Sequence, residues 1–139
     1  LNASKKCVRH LNNDARPHQT SGGEFFCYNI SMTDLTDRKC RACELGVGKL
    51  NPADVEAFMT HVSKWSVKDS HEISRRFKFK NFAEALAFVN KVGALAENEG
   101  HHPDIKFGWG YVRVSLSTHS LKGLSENDFI VATKIDLLI

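Results

Sequence analysis

No stretch of this sequence approaches the run of about twenty apolar residues that a membrane-spanning helix needs, and no secretory apolar region opens it. A membrane protein is not expected, and the cytoplasm is the expected compartment. Charge of one sign is also lacking. Residues 1–39 hold six Lys/Arg against four Asp/Glu and the remainder holds thirteen against twelve, so the net charge of +3 forms no basic stripe. Direct nucleic-acid binding, which exchanges clustered cations for phosphate counterions, is not expected. Cysteine is scarce, and Cys7, Cys27, Cys40 and Cys43 all fall in the first third. A disulfide framework would spread its cysteines through the domain it staples, so free thiols in a reducing compartment are expected. Cys40-Arg41-Ala42-Cys43 is a CxxC without a second pair downstream, a weak signal on its own. Cys7, His10, Cys40 and Cys43 can still be read together as a zinc site, which metal analysis would settle. Asn2-Ala3-Ser4 and Asn29-Ile30-Ser31 match the glycosylation sequon, a pattern short enough to recur by chance.

What is present is ordinary for one globular domain: 139 residues, 42% hydrophobic and 25% charged. Residues 1–31 show no sustained period, and Phe25-Phe26-Cys27-Tyr28 is either a strand or a sticky piece of tail. The chain begins at Leu1 rather than Met, and Met32 would suit a native initiator. Residues 1–39 are expected to be an extension outside the core, and 40–139 the folded domain. Asn51 as cap, Pro52 at the first helical position and the spacing of Val55, Phe58, Met59 and Val62 predict a helix over 52–63. Trp65 and Val67 form an extended piece, and a turn at 68–71 leads into a strand that alternates Ile73, Phe77 and Phe79 with Ser74, Arg76, Lys78 and Lys80. Asn81 caps a longer helix whose buried side is expected to hold Phe82, Ala85, Leu86, Val89, Val92, Gly93 and Ala96. Gly100 and Pro103 end it. Two strands follow, Ile105–Trp109 and one over 111–119 that reaches His119, and then a helix capped by Ser125. The fold class is therefore α+β. A four-stranded antiparallel sheet with three helices on one face is the natural packing of that order.

Chemistry-bearing residues concentrate at Glu97-Asn98-Glu99-Gly100-His101-His102-Pro103. Glu97 stands four residues after Gly93 and eleven after Leu86, on the face taken as apolar. It is either a frayed-end carboxylate turned to water or a paired, functional one. His101 and His102 are either solvated loop residues, ligands of a metal, or an acid–base pair, and His119 ends the later strand. Imidazoles titrate near neutrality, so one histidine can donate a proton while another accepts one, as an elimination of water requires.

At these residues the chain resembles the pterin-4a-carbinolamine dehydratase family, whose mammalian member is also a dimerisation cofactor of a homeodomain transcription factor. The resemblance rests on Glu97, His101, His102, Pro103, Trp109, His119 and Asp128 in the family's order. The flanking Phe77-Lys78-Phe79-Lys80, Ala83–Val89 and Gly123–Phe129 segments match too, so that it covers about residues 40–137. It implies dehydration of a 4a-hydroxytetrahydropterin to quinonoid dihydropterin and water, in tetrahydropterin recycling. His101 and His119 are implied as the proton-transfer residues, and Glu97 as orienting a histidine or the substrate. His102, Pro103, Ser117, Thr118 and Asp128 are implied at the pterin ring. For Asp128 a cap on the last helix is the competing role, and Trp109 is expected to pack rather than to touch substrate. No metal or organic cofactor is implied, and a homodimer or homotetramer is expected. The competing function is a binding module on the same scaffold, a transcription coactivator or an assembly chaperone. Retention of all three histidines favours the enzyme.

Overall fold

The computed structural model describes residues 32–41 and 47–139. The candidate strand at Phe25–Tyr28, both sequons, and Cys7, His10, Cys27 and Cys43 lie outside the described residues.

The chain runs α1 (Met32–Asp37), α2 (Pro52–Met59), β1 (Ser66–Lys68), β2 (Glu72–Lys78), α3 (Phe82–Glu99), β3 (Asp104–Gly108), β4 (Tyr111–Leu116) and α4 (Glu126–Asp136). Each expected helix start is built as its residues dictate. The Asn51 side chain accepts the Asp54 amide at 2.9 Å with Pro52 at the first turn, and the Asn81 side chain accepts the Glu84 amide at 2.9 Å. Ser125 and Asp128 close a reciprocal capping box on α4.

All pairings in the sheet are antiparallel, in the order β1-β2-β4-β3. Ile73 and Phe77 on β2 share a face with Val112, Val114 and Leu116 on β4 and with Ile105 and Phe107 on β3, as the registers require. The helices lie on that face. Phe129 of α4 stacks on Phe58 of α2 with ring centroids 5.0 Å apart, and Phe88 of α3 meets Phe77 at 4.7 Å. At the far end of α4, Asp136 accepts the Trp65 indole at 2.9 Å and pairs with Arg75. The opposite face carries Ser74, Arg76, Lys78 and Arg113 and is wet.

Three expectations change. The stripe of α3 buried against the sheet is Ala85, Phe88, Val92, Ala96 and Glu99, whereas Phe82 and Leu86 are 47% and 40% exposed and Gly93 is exposed. The helix carries two apolar stripes, and the sheet takes the one holding Phe88, because that ring fits between Phe77 and Phe79. Secondly, the packed body begins before residue 40. Leu35 on the short α1 is fully buried against α4, so a fourth helix joins the three expected. Thirdly, β4 stops at Leu116, and His119 opens a 3-10 turn, His119–Leu121, instead of ending a strand.

The β1–β2 hairpin turns at Asp69 and Ser70, both left-handed (φ 49° and 53°), with the His71 amide closing on the Lys68 carbonyl at 2.9 Å. Such turns favour Asn-Gly, since side chains other than Asn and Asp are strained at positive φ. Asp69→Asn/Ser70→Gly is expected to stabilise the protein by about 0.5–1 kcal/mol, read as a rise in the urea midpoint at constant slope. The β3–β4 hairpin already has Gly110 at its left-handed position (φ 78°).

Candidate active site

Where α3 ends, Gly100 turns left-handed (φ 65°) and the His101 amide returns to the Ala96 carbonyl at 3.2 Å. The two histidines that follow part company: the His101 side chain is 8% exposed and that of His102 63%. His101 Nε2 lies 2.7 Å from Oδ1 of Asp128, a fully buried carboxylate. The other oxygen, Oδ2, accepts the Ser125 amide and the Thr118 hydroxyl, each at 2.8 Å. A carboxylate holding two donors on one oxygen is an acceptor on the other, so Nε2 of His101 carries the hydrogen and Nδ1 keeps the lone pair.

The exposed histidines also stand near carboxylates, His102 within hydrogen-bond distance and His119 beyond it. His102 Nε2 is 3.0 Å from Glu97 Oε2, and His119 Nε2 is 3.7 Å from Asp104 Oδ2. Asp104 opens β3 opposite Ser115 of β4, and His119 follows four residues later, so the register brings the 101–104 loop and His119 to one end of the sheet. Each of the three histidines thus faces its own carboxylate: Asp128, Glu97 and Asp104. One imidazole is locked and two are open to solvent, a set able to take up one proton and deliver another.

Not every expected residue sits as expected. Glu97, left open between a water-facing and a paired carboxylate, is both: its side chain is 83% exposed, because it extends the outward stripe of Phe82, Leu86 and Gly93, and it meets His102. Thr118 and Asp128 are buried with their oxygens committed to each other, to Ser125 and to His101. They therefore support His101 from behind and do not present themselves to a ligand. For Asp128 capping and histidine contact are both real, one on each oxygen. Ser117 and Pro103 are half-buried. Trp109, expected to pack, is 74% exposed at the tip of the β3–β4 hairpin. Among the described residues no three His, Cys, Asp or Glu side chains are grouped so as to hold a metal ion.

Two acidic residues escaped the sequence reading. Asp104 follows Pro103 directly, but its partner lies across a strand register that sequence alone does not fix. Glu99 was legible: it stands seven residues after Val92 and three after Ala96, on the stripe that is buried. Its carboxylate, 3% exposed, accepts Lys134 Nζ at 2.6 Å and the Cys40 amide at 3.0 Å. Burial pushes this carboxyl up, but the bonds from Lys134 and Cys40 outweigh it and hold the group below the usual carboxylate range.

Beside it, burial and then the Glu99 charge push the Cys40 thiol up to about 12. The neutral thiol is thus favoured by the fold. Its contribution is complete below the unfolded value near 9.0 and is lost as pH rises toward 12. Cys40→Ser is expected to flatten the fall in stability over that window, measured by urea denaturation at stepped pH. Wild-type Cys40 should also react slowly with thiol reagents at neutral pH.

Residues 48–138 match the family model described as Pterin 4 alpha carbinolamine dehydratase. A protein of Methylococcus capsulatus named "Putative pterin-4-alpha-carbinolamine dehydratase" is 50% identical over 110 residues, 78% of this chain and 96% of that one. A Rubrobacter xylanophilus protein of the same name is 45% identical over 107 residues, 77% of this chain and all of its own length. Among solved structures, a transcriptional coactivator/pterin dehydratase from Brucella melitensis is similar with a TM-score of 0.62 and 30% identity, covering 66% of this chain and 98% of that one.

Proposed function

Because the chain belongs to the pterin-4a-carbinolamine dehydratase family, we propose that it dehydrates a 4a-hydroxytetrahydropterin to quinonoid dihydropterin and water. The observation that carries this reading is the locked His101–Asp128 pair, accompanied at the same end of the sheet by two open histidines that each face a carboxylate. In the reaction the C4a–O bond breaks, the N5–H proton leaves and a C4a=N5 bond forms. Asp128 fixes the His101 ring so that the Nδ1 lone pair takes the N5 proton. His119 delivers a proton to the departing hydroxyl, so that it leaves as water. His102, aligned by Glu97, holds the ring with Pro103 and Ser117 lining it. Proton transfer accounts for the whole reaction, so we assign it no metal or organic cofactor. We place this work in the cytoplasm, within tetrahydropterin recycling.

Freshly generated 4a-hydroxytetrahydropterin, followed by absorbance with and without the protein, tests the proposal. Dehydration faster than the spontaneous rate supports it. An unchanged rate overturns it and leaves the binding-module reading, the role that the words "transcriptional coactivator" give to the Brucella protein.

The outward stripe of α3, with Phe82 and Leu86 exposed and Val89 half-buried, also leads us to propose a symmetric homo-oligomer, a dimer or a tetramer. Such a stripe on a second copy would cover it. Light scattering over a micromolar dilution series is expected to give at least the dimer mass, and Leu86→Glu to lower it. A monomer mass throughout would contradict this.

A further inference from the structure

Glu99 is a carboxylate placed where only its partners make it stable. It is the last residue of α3, where the helix end is already negative, and its side chain is removed from water. What it joins gives it a use. Oε1 accepts Lys134 from α4, and Oε2 accepts the Cys40 amide from the segment after α1. That segment is tied a second time: Asn127 accepts the Arg41 amide at 3.0 Å and donates to the Arg41 carbonyl at 2.7 Å. Arg38 pairs with Glu126.

Along the chain the ties flank the His101–Asp128 contact, except that Lys134 sits in the last turn of α4, away from Asp128. Glu99 precedes His101 by two residues, Asn127 precedes Asp128 by one, and Lys134 lies on the helix that carries Asp128. His101 and Asp128 come from different elements, α3's terminal loop and α4's first turn, and no backbone hydrogen bond joins the two helices. Their separation of 2.7 Å depends on how those ends are held. The geometry points to Glu99, with Lys134 as its partner, as a positioning residue for the proton-transfer histidine: it fixes the end of α3 on α4 so that His101 meets Asp128. This inference rests on the role given to His101 above.

The test uses the full chain. Glu99→Gln keeps the shape and removes the charge, and Lys134→Met removes the partner. Each is expected to lower kcat about tenfold or more, as misplacement of a catalytic group by a fraction of an ångström does, while KM stays within about twofold. Lys134→Arg should recover most of the loss. In ¹⁵N spectra the His101 ring should lose the pattern of an Nε2–H held by carboxylate. Arg75→Met, which breaks the Arg75–Asp136 pair on the other side of α4, is the control. It should lower the melting temperature as much and leave kcat and the His101 signals unchanged. Wild-type kcat and unaltered ring signals in folded Glu99→Gln would overturn the inference, as would an equal loss of kcat in Arg75→Met. If His101→Asn itself keeps wild-type kcat, the role of His101 fails and the inference falls with it. The ring spectra of Glu99→Gln then still report whether the His101–Asp128 contact depends on Glu99, which tells the two failures apart.

Discussion

Asp128→Ala is expected to lower the stability of the protein by about 3–5 kcal/mol, since each buried donor left without an acceptor costs about 1–3 kcal/mol and a lost helix cap about 1 kcal/mol. The carboxylate is wholly out of water and satisfies the Ser125 amide, the Thr118 hydroxyl and His101 Nε2 together. Alanine leaves the buried Ser125 amide and His101 Nε2 without an acceptor, leaves the Thr118 hydroxyl only the Ser125 hydroxyl, and removes the cap of α4 in the same stroke. Asp128→Asn separates the two roles. Its amide oxygen can keep the cap, but its NH2 group then faces His101 and forces the ring into the other tautomer. That variant should remain folded, with dehydration slowed about 100-fold or more by analogy with wrong-tautomer variants of other buried Asp–His pairs. Urea titration and the dehydration assay on the same samples check both halves. A loss below about 1 kcal/mol in Asp128→Ala, smaller than the usual cost of one orphaned buried group, would show that the network is not what holds the start of α4.

Much of this arrangement is readable from the sequence, and the failures have physical causes. Helix starts were legible because capping is local: Asn51, Asn81 and Ser125 act on amides three residues away. The end of α3 was legible because Gly100 takes the left-handed conformation that glycine favours. The two-strand pairs followed from short connections. The face of α3 was legible only in part: Ala85, Val92 and Ala96 are buried as expected, but Phe82, Leu86, Val89 and Gly93 repeat as well as Ala85, Phe88, Val92 and Ala96 do. Periodicity cannot say which of two apolar stripes meets the protein's own sheet. That ambiguity left Glu97 open between water and a partner, and Glu99, on the other stripe, was passed over. Among the described side chains of the short α1, Leu35 is the buried one, too little for any period to register. At the site, His101, His102 and His119 were visible as residue types at element ends. The commitment of Thr118 and Asp128 to each other depends on a contact across ten residues, set by tertiary packing.

The second large effect concerns the histidines themselves. His119→Ala and His101→Ala are each expected to lower the catalysed rate about 10²–10⁴-fold, the contribution typical of a positioned acid or base. Their structural consequences should differ. His119 is 73% exposed, so its loss should move stability by no more than about 0.5 kcal/mol. His101 is buried against Asp128, and its removal strips one oxygen of that carboxylate of its partner, a change of about 1–3 kcal/mol. Equal activity in His119→Ala and the wild type would move the second proton transfer away from this residue.

The central claim is that the chain is a dehydratase whose catalysis runs through His101 and His119. It is tested most directly by one side-by-side measurement: dehydration of freshly generated 4a-hydroxytetrahydropterin by the wild type, by the His101→Ala/His119→Ala double variant and by buffer alone, at equal concentrations of folded protein. The wild type should accelerate dehydration clearly, and the double variant should stay close to the buffer rate. Acceleration by both proteins alike, or by neither, would contradict it.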